Sequence, residues 1–167
     1  MANYKDTNKP NKKSRFRQGY YKIENLEKYA GDPTKIIYRS SWEYKFCRYC
    51  DLTPEIIKWS SEPFPIPYFD PLQNKERSYF VDFYIRIKMR DGKEKDYLVE
   101  VKPKAKLRPP VFEAKQTLKN VREYNYLLEE FIINKAKKEA AEEFAKKMKY
   151  KYMIVTEEFL WKQNNLD

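Results

Sequence analysis

Between Tyr79 and Met89 apolar and polar residues alternate almost without interruption, and this pattern constrains the fold more than any other feature of the chain. Val81, Phe83, Ile85, Ile87 and Met89 share one face, while Phe80, Asp82, Tyr84, Arg86 and Lys88 share the other. A period of two fits a β-strand and no helix. Asp91-Gly92 then supplies a turn, and a second strand runs from Asp96 to Lys102 before Pro103 stops it. Tyr97, Val99 and Val101 form its apolar face; Leu98, Glu100 and Lys102 form the other. An antiparallel hairpin is therefore expected at the centre of the molecule.

The flanking segments complete an order. Ser40-Ser41-Trp42-Glu43 reads as a capping box, with Ser40 at the N-cap and Glu43 at N3, and Trp42, Phe46, Tyr49 and Cys50 continue a helix to Asp51 before Pro54. From Ile56 to Asp70, Ile57 and Trp59 suggest a strand. Pro63, Pro65 and Pro67 then alternate with Phe64, Ile66 and Tyr68, which describes an edge whose outer side lacks donors. Val111 to Met148 contains neither Gly nor Pro and carries a helical stripe from Leu118 to Phe144; its length predicts a break or kink near Asn134. Tyr152 to Thr156 reads as a last, buried strand, followed by a short helix or tail. The predicted class is α/β: a mixed sheet flanked by helices, in the order helix, three strands, helix, strand. Residues 1–35 are expected to form a basic N-terminal arm, 36–160 the domain and 161–167 a C-terminal tail. Before Ala30, eight Lys or Arg face three acids, with Tyr4, Phe16, Tyr20 and Tyr21 interleaved. Those rings suit either stacking on bases or anchoring the arm to the core.

Composition removes whole classes of chemistry. There is no histidine, which excludes Ser-His and Cys-His catalysis and every His-bound metal site. Any metal must be held by carboxylates and carbonyls, which favours Mg²⁺ or Mn²⁺. Cys47 and Cys50 form a single CxxC inside the predicted helix, with no second pair to complete a zinc site, so they read as two reduced, small apolar residues. The 35 Lys and Arg against 25 acids leave a net charge of +10, which favours nucleic acid as a partner over an inert basic surface. No apolar run is long enough to span a membrane, and the N-terminus has no secretion signal, so synthesis in the cytoplasm is expected.

Hydrolysis of a phosphodiester needs a cation, an activated water and an aligned substrate. Glu100 and Lys102 lie side by side on one strand face, with the Val101 carbonyl between them as a further metal donor. Asp82 sits on the polar face of the neighbouring strand, where a carboxylate is costly without a partner. A two-residue turn at Asp91-Gly92 would set Asp82 opposite Val101 and separate the carboxylates. An odd-length loop, or a bulge, pairs Asp82 with Glu100 or Lys102. Glu43 is either a capping residue alone or a fourth member of the site. Lys104, Lys106 and Arg108 follow immediately and suit contacts to phosphate, as do Lys12, Lys13, Arg15 and Arg17 in the arm. The charges from Lys135 to Lys149, spaced as Lys135–Glu139 and Glu142–Lys146, read as an ordinary solvated helix face.

This constellation resembles the PD-(D/E)xK nuclease superfamily: Glu on the first core helix, Asp on the second strand, ExK on the third. The wording YRSSWEYKFCRYCD, IIKWSSEPFPIPYFDPLQNKERSYFVDFYI and YLVEVKPK is similar to the head-completion nucleases of T-even-like tailed phages, a branch akin to the endonuclease subunit of transposases. The resemblance covers about residues 35 to 156. It implies a restriction-endonuclease-like fold and metal-dependent DNA cleavage, with Asp82 and Glu100 binding Mg²⁺ or Mn²⁺ and Lys102 positioning the water. Glu43 would orient the site or help hold a second ion. Val-Asp replaces the usual Pro-Asp at Asp82, and the carboxylate is kept. Glu62 falls in the matching segment and reads as a solvent-facing residue or a helper. A phage setting implies the host cytoplasm or the virion as location, head or portal proteins as partners, and a homo-oligomer as one assembly. The competing readings are a non-catalytic DNA-binding head or neck protein on the same fold, and a transposase or repair-type nuclease partner.

Overall fold

The computed structural model describes residue 10 and residues 17–112 and 115–163. Gly19–Tyr20 (β1) pairs with Ile37–Tyr38 (β2). Ser41–Leu52 forms α1, followed by Ile56–Ser61 (β3), Pro65–Asp70 (β4), Lys75–Phe80 (β5), Phe83–Lys88 (β6) and Glu94–Val101 (β7). Leu118–Met148 (α2), Lys151–Val155 (β8) and Glu157–Gln163 (α3) complete the chain. The main sheet has the order β3-β6-β7-β8. β6 runs antiparallel to both its neighbours, and β8 returns parallel to β7 after the α2 crossover. The mixed α/β sheet flanked by helices is thus the one expected.

One face of the sheet carries Phe83, Ile85 and Val99, packed with Phe46, Cys47 and Cys50 of α1 and Leu160 of α3. The other face carries Leu98, with Ala141 and Ala145 of α2 and Ile66 of β4. Cys47 and Cys50 are buried free thiols, pushed well up by burial. They act as small core residues.

Three departures from the sequence reading matter for the site. First, the alternating run from Tyr79 to Met89 is two strands. β5 pairs with β4 in a separate two-stranded ribbon, and the chain bends at Val81–Asp82 before β6 enters the main sheet. Val81 therefore packs with Ile66 and Leu98, on the opposite side from Phe83 and Ile85. The proline-rich segment is an edge, but of this ribbon. The chain leaves the main sheet at Glu62, whose φ of 44° is left-handed, and at Pro63. Two hydrogen bonds from main-chain amides hold the double bend: Glu62 N–H donates to the Asp82 carbonyl at 2.9 Å, and Val101 N–H donates to Asp82 Oδ2 at 2.8 Å.

Second, α2 runs as one helix through Asn134, where a break or kink was expected. Thr117 caps its start by accepting from Asn120 N–H, and left-handed Lys149 ends it. The Asn134 side chain accepts from Lys102 across to β7, so it does not compete for its own helix backbone. β8 lies at the sheet edge, and only its Val155 is buried.

Third, residues 17–35, expected within a loosely attached arm, are packed. Tyr21 and Ile36 are buried, and Ala30 N–H donates to the Trp59 carbonyl at 2.8 Å. The anchor is Asp51 at the end of α1, which is fully buried. It accepts from the Tyr21 hydroxyl, Glu24 N–H, Asn25 N–H and Asn25 Nδ2 at 2.8–3.1 Å. Burial alone would push its carboxyl up; these donors outweigh burial and hold it below the usual carboxylate range. Residues 161–163, placed in a tail by the sequence, belong to α3, and residues 164–167 lie outside the described residues.

Asp51→Ala should lower stability by about 3 kcal/mol or more, because several buried donors lose their acceptor at once. The native chain should also lose stability as pH falls below about 4, through the depressed folded value, while Asp51→Asn shows a flatter profile there. Urea unfolding from neutral to acid pH measures both.

Candidate active site

Five residues, 89–93, separate the paired Lys88 and Glu94, the odd count that the carboxylates need. Gly92, at φ 80°, takes the left-handed position of this loop. With Phe83 opposite Val99, the register carries Asp82 to the level of Glu100. Where β6 would continue its ladder, the Asp82 carboxylate takes the Val101 amide instead.

Glu100 points to the α2 side of the sheet and is only 8% exposed. Its Oε1 accepts from Lys102 Nζ at 3.2 Å, and Lys102 Nζ also donates to Asn134 Oδ1 at 3.1 Å. Glu100 Oε2 is buried and has no hydrogen-bond partner. A buried carboxylate oxygen left unpaired is costly unless a cation reaches it. The Asp82 carboxyl is pushed well above its ordinary range, first by burial, then by the charges of Glu100 and Glu43. The three acids thus share one electrostatic environment.

Glu43 fills its capping role. Ser40 Oγ accepts from Glu43 N–H at 3.1 Å, and the Glu43 carboxylate takes Arg39 N–H at 2.8 Å and the Ser40 hydroxyl at 2.9 Å. The capping box is therefore shifted by one amide. Burial raises the Glu43 carboxyl above its ordinary value, and the Glu62 charge adds to this.

Glu62 is not solvent-facing. Arg39 grips it through Nε and Nη2, and its main chain buttresses the Asp82 bend. Nothing in the sequence marks this pair. Asn134 and Lys137 of α2 also escape sequence reasoning. The Lys137 ammonium lies over the rings of Tyr79 and Tyr68 at 5.3 and 5.7 Å. Burial pulls its pKa down, and the charge of Glu100 opposes the shift. The hydroxyls of Tyr79 and Tyr152 are pushed up by burial and by Glu100, which places both beside the same acids.

The basic residues expected to meet phosphate are distributed differently. Lys104 Nζ pairs with Glu158 at 2.6 Å and Lys106 Nζ with Glu130 at 2.5 Å, both at the surface. Exposed pairs of this kind are worth little, so a phosphate can displace the acid. Arg108 is exposed. Arg17 lies over the Tyr44 ring at 6.0 Å. Lys12, Lys13 and Arg15 are outside the described residues. On α2 the ion pairs are Lys138–Glu142 and Lys147–Glu143, not those read from spacing.

Among the described residues no three Asp, Glu or Cys side chains are grouped so as to enclose an ion by themselves. Two carboxylates completed by main-chain or water oxygen remain the available donor set, and the unpartnered Glu100 Oε2 fits a hard cation in such a set.

A mixed sheet with Glu-x-Lys at the end of one strand, an acid at the bend before the neighbouring strand and a helical return suits an endonuclease. The match to a family model extends over residues 53–157, from β3 to the start of α3, and the chain belongs to the family described as TnsA-like endonuclease N terminal. The matched segment contains Asp82, Glu100 and Lys102, and begins after Glu43. The chain is also 38% identical over 142 residues to the head completion nuclease of Enterobacteria phage T4, covering 85% of this chain and 92% of that protein.

Proposed function

We propose that this endonuclease hydrolyses DNA with a divalent cation, Mg²⁺ or Mn²⁺, held by Asp82 and Glu100. The observation that carries this reading is the buried, unpartnered Glu100 Oε2 beside a second, half-buried acid, Asp82. The Val101 carbonyl would be the third donor, and Glu43 would orient the site or share a second ion. When bound, the cation supplies charge neutralisation at the phosphate and makes a water more acidic.

The chain's own groups do the rest. Lys102 Nζ uses two donors on Glu100 and Asn134, which aims the ammonium and leaves one donor for a water or a phosphate oxygen. The water oxygen bonds to phosphorus, the bond from phosphorus to the leaving sugar oxygen breaks, and that oxygen takes up a proton. Lys104, Lys106 and Arg108, with Lys12, Lys13, Arg15 and Arg17 of the arm, would bind flanking phosphates.

The similarity to a head completion nuclease supports a role in finishing the packaged phage head. The substrate would then be phage DNA, the partners head or portal proteins, and the location the host cytoplasm or the virion. No helix among the described residues is long and apolar enough to cross a membrane.

Plasmid and linear DNA incubated with the chain in Mg²⁺, Mn²⁺ or EDTA test the reading. Cleavage should appear with either metal and vanish in EDTA. Retarded DNA that is never cut, under all three conditions, would instead identify a DNA-binding head or neck protein on a nuclease fold.

A further inference from the structure

Beside Lys102 the structure holds a cavity of about 310 Å³ between α2 and the β7–β8 edge. Its floor includes Phe131 and Tyr152, both half-buried. Its rim carries Lys106, Lys135 and Lys138, with Lys102 at the inner end. The cavity is the size of a small-molecule site. An aromatic floor with a lysine rim has the chemistry of a nucleotide: a base has an apolar π-face and its flanking phosphates are anionic. A base stacked within a duplex cannot enter such a cavity, and one that is already unpaired enters at little cost.

We propose that this cavity holds one unpaired nucleotide of the DNA next to the phosphate being cut. The base lies on Phe131 and Tyr152, and the lysines meet its phosphates. The inference rests on the DNA-cleaving reading above and adds a substrate class to it: ends, flaps or gaps with an unpaired nucleotide at the cut, in preference to continuous duplex.

Two further observations agree. The groove continues past Lys106 to Arg108, between the loop after β7 and the first half of α2, which gives the strand a way out. Lys106 and Lys138 are held by exposed pairs, to Glu130 and Glu142, which a phosphate can replace. A bland alternative is that the lysine stems simply cover apolar surface. That alternative predicts no dependence on the base.

The test uses the full chain and three matched oligonucleotide duplexes: fully paired, with one unpaired nucleotide at the cut, and with an abasic residue at that place. Cleavage in Mg²⁺ and binding in Ca²⁺, by anisotropy of a dye-labelled strand, are both read. The native chain should favour the unpaired base over the abasic duplex by roughly tenfold, the size expected for one base on an aromatic ring. Phe131→Ala should lose this preference, treating the unpaired-base and abasic duplexes alike. Lys135→Ala should weaken binding of all three duplexes and lower the salt dependence. Equal treatment of base and abasic duplexes by the native chain, or a preference that survives Phe131→Ala, overturns the proposal. Binding in Ca²⁺ that discriminates the base while nothing is cut in Mg²⁺ keeps the pocket and sinks the nuclease reading instead.

Discussion

Asp82→Asn is expected to cut DNA about 10³-fold more slowly and, in EDTA, to melt at a higher temperature than the native chain. The two effects have one cause. In the metal-free protein Asp82 is half-buried beside Glu100 and Glu43, and its carboxyl is pushed well above the ordinary range, by loss of solvent first. A carboxyl whose folded value is raised binds its proton more tightly in the folded chain. Stability therefore falls as pH rises from the unfolded value, near 4, through the raised folded value. At neutral pH an ionised Asp82 opposes folding, and an asparagine removes that charge. Its side-chain carbonyl can still accept from Val101 N–H, so the bend is retained.

Adding Mg²⁺ should reverse the order. A ligand at a hundredfold excess over its dissociation constant stabilises the folded state by about 2.7 kcal/mol, which is roughly 5–10 °C for a chain of this length. The native chain should gain that shift and Asp82→Asn should not. Thermal melts in EDTA and in Mg²⁺, run beside a cleavage assay, read all three quantities. An equal Mg²⁺ shift in both proteins would remove Asp82 from the metal site.

Lys102→Met is the second large effect, with the opposite signature. The lysine is the cation that faces Glu100 directly, at 3.2 Å, with a side chain only 15% exposed. Removing it leaves the acid cluster less balanced, so metal-free stability should fall. Bound metal can offset this loss, and the Mg²⁺ shift should persist. The turnover rate should drop by about 10²–10³, with little change in the affinity for DNA, because the lost contact is to the water or to an oxygen on which charge develops. Lys102→Arg should not restore activity: a planar guanidinium cannot occupy the point between Glu100 Oε1 and Asn134 Oδ1 that an ammonium fills. A KM effect with an unchanged turnover rate would make Lys102 a phosphate-binding residue only.

Much of this site was legible because its residues obey local rules. Glu100 and Lys102 lie on one side of a strand through a period of two, which any six residues of that pattern would show. Ser40 caps α1 and Glu43 reaches back because the capping box is contained within four residues. The turn at Gly92 and the odd loop were readable as a condition on register, and β6 and β7 meet it. The mixed sheet with a helical return followed from the order of the elements.

The rest depends on partners distant in the chain. Tyr79 to Met89 alternates perfectly well as one strand. It is divided because Val101 N–H finds the Asp82 carboxylate, and because the Asp82 carbonyl takes Glu62 N–H. Asn134 is a weak helix former in sequence; in the fold its side chain serves Lys102, and α2 passes through unbroken. Residues 17–35 look like a basic tail until Asp51 offers its carboxylate to Tyr21, Glu24 and Asn25. Thus the sequence by itself determined the class of sheet, the Glu-x-Lys pair and the absence of any imidazole chemistry. Only the tertiary structure decided where the strands bend, that Glu100 keeps an unpaired oxygen, and that α2 lays Asn134 and Lys137 beside the acids. Strand period, caps and turns are satisfied within a few residues, whereas a buried charge is satisfied or left open only by what the fold brings to it from elsewhere.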